Sequence, residues 1–351
     1  MPTCPEYRVR LFLSVDLVGS TAYKDGEGNS PDPRSPFPKW VEQTRLFYRD
    51  FPETLRHTFE TQLIGASLGR DMPEPRVWKT LGDEIIFCTR LQDLRHLSVC
   101  VIAFLRTLKS YGEKLEALGG HLDVKGAAWI ATFPAPNVTV PVSGAHAPQG
   151  DQPDESLELE ADENPSRFDF LGKSIDTGFR VSRYSSHERF AITVELAYLL
   201  SNVSQQDTLP FNFSYHGRES MKGVIKGRPY PLLSIEADRN SSPGEVRSRE
   251  RLLNRADSLP VWDFLQAFIN QEGIERPILS GVRDPSTTDV LPSLYIEFRK
   301  AWEALVKENE QRSELEEQAA VAEDGGVVVD PDSLKAIEEA FNLMVSRVEG
   351  E

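Results

Sequence analysis

Apolar and polar positions along the first 240 residues fall into short alternating runs separated by longer stripes of helical spacing. Tyr7 to Val15 alternates in places and predicts a strand, with Arg8 and Arg10 on one side. The run continues as Leu11-Phe12-Leu13-Ser14-Val15-Asp16 and gives way to Leu17-Val18-Gly19-Ser20-Thr21. A mostly apolar strand thus delivers one carboxylate to a sharp turn whose backbone N–H groups can face a phosphate. Residues 24–38 carry Gly26, Gly28, Pro31, Pro33, Pro36 and Pro38 and read as a loop. Trp40, Phe47, Phe51, Leu55 and Phe59 then recur at mainly helical spacing, with Pro52 predicting a kink or a restart. After a second loop at 65–75, Val77 to Phe87 predicts two strands joined by a tight turn at Gly82-Asp83, which places a second carboxylate.

Asp93 is the expected N-cap of a helix striped by Leu94, Leu97, Val101, Phe104, Leu108, Tyr111 and Leu115 and stopped by Gly119-Gly120. His121 to Phe133 predicts a strand whose small residues mark a close backbone approach. Residues 134–166, rich in Pro, Gly, Asp and Glu, are expected to be a flexible insertion and a poor core candidate, partly strand at Val138 to Val142. A helix is predicted from about Ser174 to His187, then a strand end and short helix over Ile192 to Leu200. Strands follow at Phe211 to Tyr215 and Tyr230 to Ile235. Beyond Ala237 the pattern changes. Asn240 to Gly244 is linker-like, and amphipathic stripes follow at Val261, Leu265, Phe268, at Tyr295, Phe298, Trp302, Leu305, and at Leu334, Ile337, Phe341, Met344, Val348, with a break near Ala319 to Val329. The expected organisation is an α+β domain over 1–239, its sheet carrying helices on one face, and a helical extension over 240–351.

Composition narrows the function classes. A formal charge of −16 over 351 residues supplies no basic excess to displace counterions from nucleic acid. An acidic chain still binds a nucleoside triphosphate when divalent metal accompanies it. The three cysteines, Cys4, Cys88 and Cys100, match no zinc spacing, and the last two lie in apolar runs as core residues, which implies a reducing compartment. The N-terminus has no long apolar block and the longest apolar-rich run is too short for a bilayer, so a soluble, cytoplasmic chain without membrane contact is expected.

Two carboxylates at strand ends, each beside a glycine turn, suit a two-metal phosphoryl-transfer site. Either turn alone is equally an ordinary capping residue or hairpin. Together, Phe12 to Thr21 and Lys79-Thr80-Leu81-Gly82-Asp83 resemble the catalytic domain of class III nucleotidyl cyclases, and the resemblance covers roughly residues 7 to 236. It implies a ferredoxin-like sheet in which Asp16, Asp83 and the Leu17 backbone carbonyl hold two Mg²⁺ or Mn²⁺ ions and Lys79 contacts the base. Asp169-Phe170-Leu171-Gly172 resembles the family's Asp-x-x-Gly, whose Asp also reads the base. Seven and eleven residues further on, the family places an Asn for the ribose and an Arg for the transition state; Asp176 and Arg180 stand there, the first a departure. Val18, Gly19, Ser20 and Thr21 are expected to meet the phosphates, with Lys222 or Arg228 of the last hairpin.

Phe37-Pro38-Lys39-Trp40, Phe51-Pro52-Glu53 and Lys125-Gly126-Ala127-Ala128-Trp129 look most similar to the bacterial pyrimidine cyclases of the Pycsar antiphage system. That similarity implies cyclisation of UTP, alternatively CTP or ATP, giving a second messenger for a separate cyclic-nucleotide-binding effector. The family divides its site residues between subunits, and this chain carries both sets, so a homodimer with shared sites is expected. A nucleotide-binding homologue without turnover is the reading favoured by Asp176. A diguanylate cyclase is set aside, because Gly82-Asp83-Glu84-Ile85 is not that family's hairpin signature.

Overall fold

The computed structural model describes residues 2–30, 35–69, 71–119, 122–142, 154–206, 211–237, 249, 253, 255–256, 258–281 and 291–324. Its centre is β1 (Arg8–Val18), eleven residues whose odd positions Leu11, Leu13, Val15 and Leu17 are buried on one face while Phe12 is buried on the other. It pairs antiparallel with β3 (Glu84–Arg90) on one side and β4 (Asp123–Phe133) on the other. Adding β2 (Arg76–Leu81), β7 (Arg189–Ile192), β8 (Phe213–Ser220), β9 (Pro229–Glu236) and β10 (Arg255–Ala256) gives one eight-stranded sheet, ordered β10-β8-β9-β7-β4-β1-β3-β2. The β4–β7 pair is parallel and the others antiparallel. The α+β expectation holds.

Period-2 burial explains both layers. The odd side chains of β1 meet the long helices α2 (Lys39–Gly65) and α3 (Leu94–Ala117), whose stripes Phe47, Phe51, Leu55, Phe59 and Leu97, Val101, Phe104, Leu108 share one core with them. Asp93 caps α3, its carboxylate accepting the His96 N–H at 2.7 Å. Gly126 of β4 admits α3 closely: a Cβ there would lie 2.8 Å from Leu108. The other face, through Phe12, Ile86, Trp129 and Phe133, is covered by the two-stranded β5 (Val138–Pro141) and β6 (Phe168–Leu171) and by the short helices α4 (Glu155–Glu163) and α5 (Lys173–Val181).

Four local expectations are corrected. Pro52 forfeits one backbone hydrogen bond but does not restart the helix: α2 runs unbroken for 27 residues because its buried stripe continues on both sides. The helix expected to reach His187 ends at Val181, followed by a 3-10 turn over Ser182–Tyr184. The loop assigned to 24–38 begins only after α1 (Ser20–Asp25) and contains a 3-10 turn at Glu27–Asn29. The largest difference lies in 134–166. Beyond β5, residues 155–163 form α4, which buries Leu157 and Ala161 and pairs its acids with two buried arginines of β1. Arg8 lies 2.8 Å from Asp162, and Arg10 lies 2.8 Å from Glu158 and 2.6 Å from Asp162. Residues 143–153 lie outside the described residues.

α6 (Val194–Gln206) packs with α7 (Ser258–Glu272), whose Val261, Leu265, Phe268 and Ile269 join the core of α2 and α3, although α7 lies beyond residue 239. Residues 1–298 form one compact unit and 299–351 a second. α8 (Ser293–Asp324) continues into the break expected at Ala319 to Val329, whose residues 325–329 lie outside the described residues, and its second-unit part carries exposed Arg299–Glu303 and Arg312–Glu316 pairs. The linker at 240–244 and the stripe at 334–348 fall outside the described residues. Among the described residues, no helix is long and apolar enough to cross a membrane. Cys88 and Cys100 are buried, as expected.

Candidate active site

Asp16 and Asp83 come together because the strand and the hairpin that carry them are stitched at their tips. The Leu17 N–H donates to the Asp83 carbonyl at 3.3 Å. Gly82, at φ +64°, turns β2 into β3 in a conformation few other residues adopt. The Tyr48 hydroxyl of α2 donates to the Gly82 carbonyl and pins the turn. Val18 ends β1, Gly19 is left-handed at φ +84°, and the Ser20 hydroxyl donates to the Asp83 carboxylate, while Gly19 and Thr21 are exposed. Lys24 stands 3.8 Å from the same carboxylate.

Two further charged residues belong to this group. Register sets Asp16 directly opposite Glu84 of β3 and directly opposite Lys125 of β4, a row of three side chains on one face. Lys125 Nζ lies 3.1 Å from Asp16 Oδ2, and the Ser14 hydroxyl donates to Glu84. Burial pushes the Asp16 carboxyl above its ordinary value, the Lys125 ammonium opposes this, and the charge of Asp83 adds to it. Burial likewise raises Glu84. Sequence reasoning missed both residues, since only strand register reveals that they flank Asp16. The row lines a pocket of about 280 Å³ whose opposite wall is Phe179, Ser182, Arg183 and Ser185.

Asp16 and Asp83 present hard oxygen donors, which suit Mg²⁺ or Mn²⁺. Among the described residues, no three His, Cys, Asp or Glu side chains group into a metal cage. Mg²⁺ commonly uses one or two carboxylates and completes its shell with substrate phosphates and water, so the two acids fit such an ion.

A second cluster forms on β2 and β6. Lys79 Nζ lies 2.7 Å from Asp169 Oδ1 and 3.8 Å from the Trp78 ring centroid, and the Asp169 carboxylate also accepts the Phe170 N–H. A β-bulge between Val77 and Lys79 makes this possible: Trp78 turns inward, its indole N–H donating to the Phe168 carbonyl at 2.9 Å. The two residues expected to read the base thus lie in contact with each other.

α5 carries the remaining candidates. Gly178 sits against the Trp129 ring, where a Cβ would lie 2.3 Å away, and this contact seats the helix on β4. Asp176 is exposed, Arg180 is half-buried, and no ion pair joins them. Arg180 Nε is buried with no protein acceptor, and its Nη2 lies 3.8 Å from the Cβ position of Gly223. The β8–β9 hairpin thus brings Lys222-Gly223 beside Arg180. Arg228 goes elsewhere, held 2.6 Å from Glu272 of α7. Neither Asp176 nor Arg180 lines the pocket at Asp16.

The fold and site define an α+β protein with an acidic cleft at the tip of its central strand and a Lys–Asp pair beside it. No family model matches the chain, and no curated relative matches it. Among solved structures it is similar to the adenylyl cyclase CyaB from P. aeruginosa, at 10% identity over 68% of this chain and 98% of that one, with a TM-score of 0.43. It is similar to the guanylyl cyclase Cya2 at 13% identity, over 70% and 98% of the two chains, with a TM-score of 0.38. The guanylate cyclase domain of RhGC from Catenaria anguillulae, in complex with GTP, is 11% identical over 67% and 100%, with a TM-score of 0.38.

Proposed function

We propose that this chain is a nucleotidyl cyclase that closes a nucleoside triphosphate to its 3′,5′-cyclic monophosphate and releases pyrophosphate, with UTP as the preferred substrate. The observation that carries the proposal is the junction of Asp16 and Asp83 through the Leu17–Asp83 backbone bond, beside a separate Lys79–Asp169 pair. Two divalent ions, when bound, would screen the triphosphate and lower the pKa of the attacking 3′-hydroxyl. Asp16, Asp83 and the Leu17 carbonyl would hold them. Lys79, oriented by Asp169, would donate to an acceptor on the base; uracil offers such acceptors, as do the alternatives CTP and ATP. The Val18 to Thr21 turn and Lys222 would meet the phosphates. Arg180, whose Nε has no protein acceptor, would stabilise charge on the α-phosphorus.

Arg180 and Asp176 do not line the pocket at Asp16, which supports a homodimer whose sites each combine residues of two chains. The resemblance to the Pycsar enzymes supports a product read by a separate cyclic-nucleotide-binding effector in antiphage defence. Incubation with UTP, CTP, ATP and GTP, each with Mn²⁺, followed by mass spectrometry tests the reading. Cyclic UMP as the dominant product is expected. Binding without any cyclic product would favour the second reading, a nucleotide-binding homologue, for which the exposed Asp176 in place of Asn is the supporting observation.

A further inference from the structure

The proposed reaction leaves the ammonium of Lys125 without a role. It lies across β1 from Asp16, at 3.1 Å, with both side chains about three-tenths exposed. One of the Asp16 oxygens that would hold a metal ion therefore already faces a cation of the protein itself. That cation lies on the wall of a pocket of about 280 Å³ that carries a second fixed positive charge, Arg183. Ser182 and Ser185 line the same pocket with their hydroxyls donating to the Phe179 and Ser182 carbonyls, and Ser14 and Glu84 complete the sheet side.

This arrangement is stable only while Asp16 lacks a stronger partner. Asp16 pairs with one ammonium, whereas a divalent ion would engage Asp16 and Asp83 together. A lysine stem has enough freedom to move its ammonium across such a pocket, and a partly exposed ion pair is inexpensive to break. Once released, Lys125 and Arg183 would place two positive charges around one volume, a setting suited to phosphate oxygens. Resting on the nucleotidyl cyclase reading, we infer that Lys125 is an exchangeable counter-ion. It neutralises Asp16 until a divalent cation enters, and then turns with Arg183 to the phosphates of the incoming triphosphate.

The exchange is tested first with Mn²⁺ alone, by following the free-ion signal in electron paramagnetic resonance. Lys125→Met, which removes the competitor, should bind Mn²⁺ about threefold to fivefold more tightly than the parent, and Lys125→Arg should bind it like the parent. Unchanged or weaker binding by Lys125→Met overturns the exchange. Asp16→Asn should lose Mn²⁺ binding; if it binds like the parent, the metal site itself is wrong, so the two failures are distinct. The unaltered protein supplies a measurement that needs no variant. Acetylation of Lys125 by acetic anhydride, quantified by mass spectrometry, should rise several-fold on adding Mn²⁺ and fall again on adding α,β-methylene-UTP. No rise with Mn²⁺ overturns the exchange, and a rise without protection by the nucleotide analogue overturns the phosphate contact.

Discussion

Arg10 of β1 and Glu158 of α4 form an ion pair at 2.8 Å in which neither side chain is more than 1% exposed. The Arg10 guanidinium also bonds the Thr139 hydroxyl and the Glu158 carbonyl and lies over the Phe133 and Phe170 rings. A buried charge is tolerated only with such complete pairing, and removing one partner leaves the other stranded. Glu158→Gln should therefore destabilise the protein by about 3 kcal/mol, since Asp162 still holds part of the guanidinium charge. Urea unfolding followed by circular dichroism would show it; a loss below about 1 kcal/mol would mean that α4 is dispensable.

Asp16→Ala and Asp83→Ala should each abolish pyrophosphate release from UTP, with the fall at least a hundredfold. Folding should persist, because both side chains are half-exposed at the cleft, Asp16 near the end of β1 and Asp83 in the β2–β3 turn. Activity retained in either variant would remove the metal-ligand assignment for that residue.

Glu195, at the start of α6, has its carboxyl raised by burial, opposed by its hydrogen bonds, including one from the Tyr230 hydroxyl at 3.3 Å. The folded chain then keeps this proton at pH values where the unfolded chain, with an ordinary carboxyl near 4.5, has lost it. The sign follows: this group's contribution to stability is full below the ordinary value and declines as pH rises through the raised one. Glu195→Gln should gain stability over the parent at pH 7 and gain none at pH 4. Unfolding midpoints across that range decide it; parallel curves would refute the assignment.

Gly178 touches Trp129 so closely that any side chain must displace α5 from β4. Gly178→Ala should cost about 1–3 kcal/mol in stability through overpacking. Because Arg180 rides on the same helix, kcat should fall at least about tenfold in molecules that remain folded. A thermal melt combined with single-turnover kinetics separates the two effects. Parent-like kcat would show that the seat of α5 does not position Arg180.

The strand-to-acid turns at Asp16 and Asp83, the Asp93 cap and the stripe of α3 were legible because each is written in contiguous residues with its own period or turn chemistry. α4 was not. Its composition is acidic and its apolar side is only Leu157 and Ala161, so the segment reads as solvent-loving until the two buried arginines of β1 are seen to need its carboxylates. Glu84 and Lys125 escaped for a different reason: being cross-strand neighbours of Asp16 is a property of register, which a single strand's pattern does not encode. The inward turn of Trp78 depends on a bulge, an irregularity that breaks the very period used to find strands. Arg228 and Lys222 looked equivalent on the hairpin; only the packing of α7 separates them.

β1 carries Arg8, Arg10, Phe12, Ser14 and Asp16 on one face, from the buried ion cluster at one end to the acidic cleft at the other. Inserting one residue between Arg10 and Asp16 would rotate one end of that row to the opposite face, forcing either the arginines among the α2 and α3 stripes or the acid out of the cleft. In evolution this strand should accept substitutions yet reject length changes, with insertions and deletions displaced to its flanking turns.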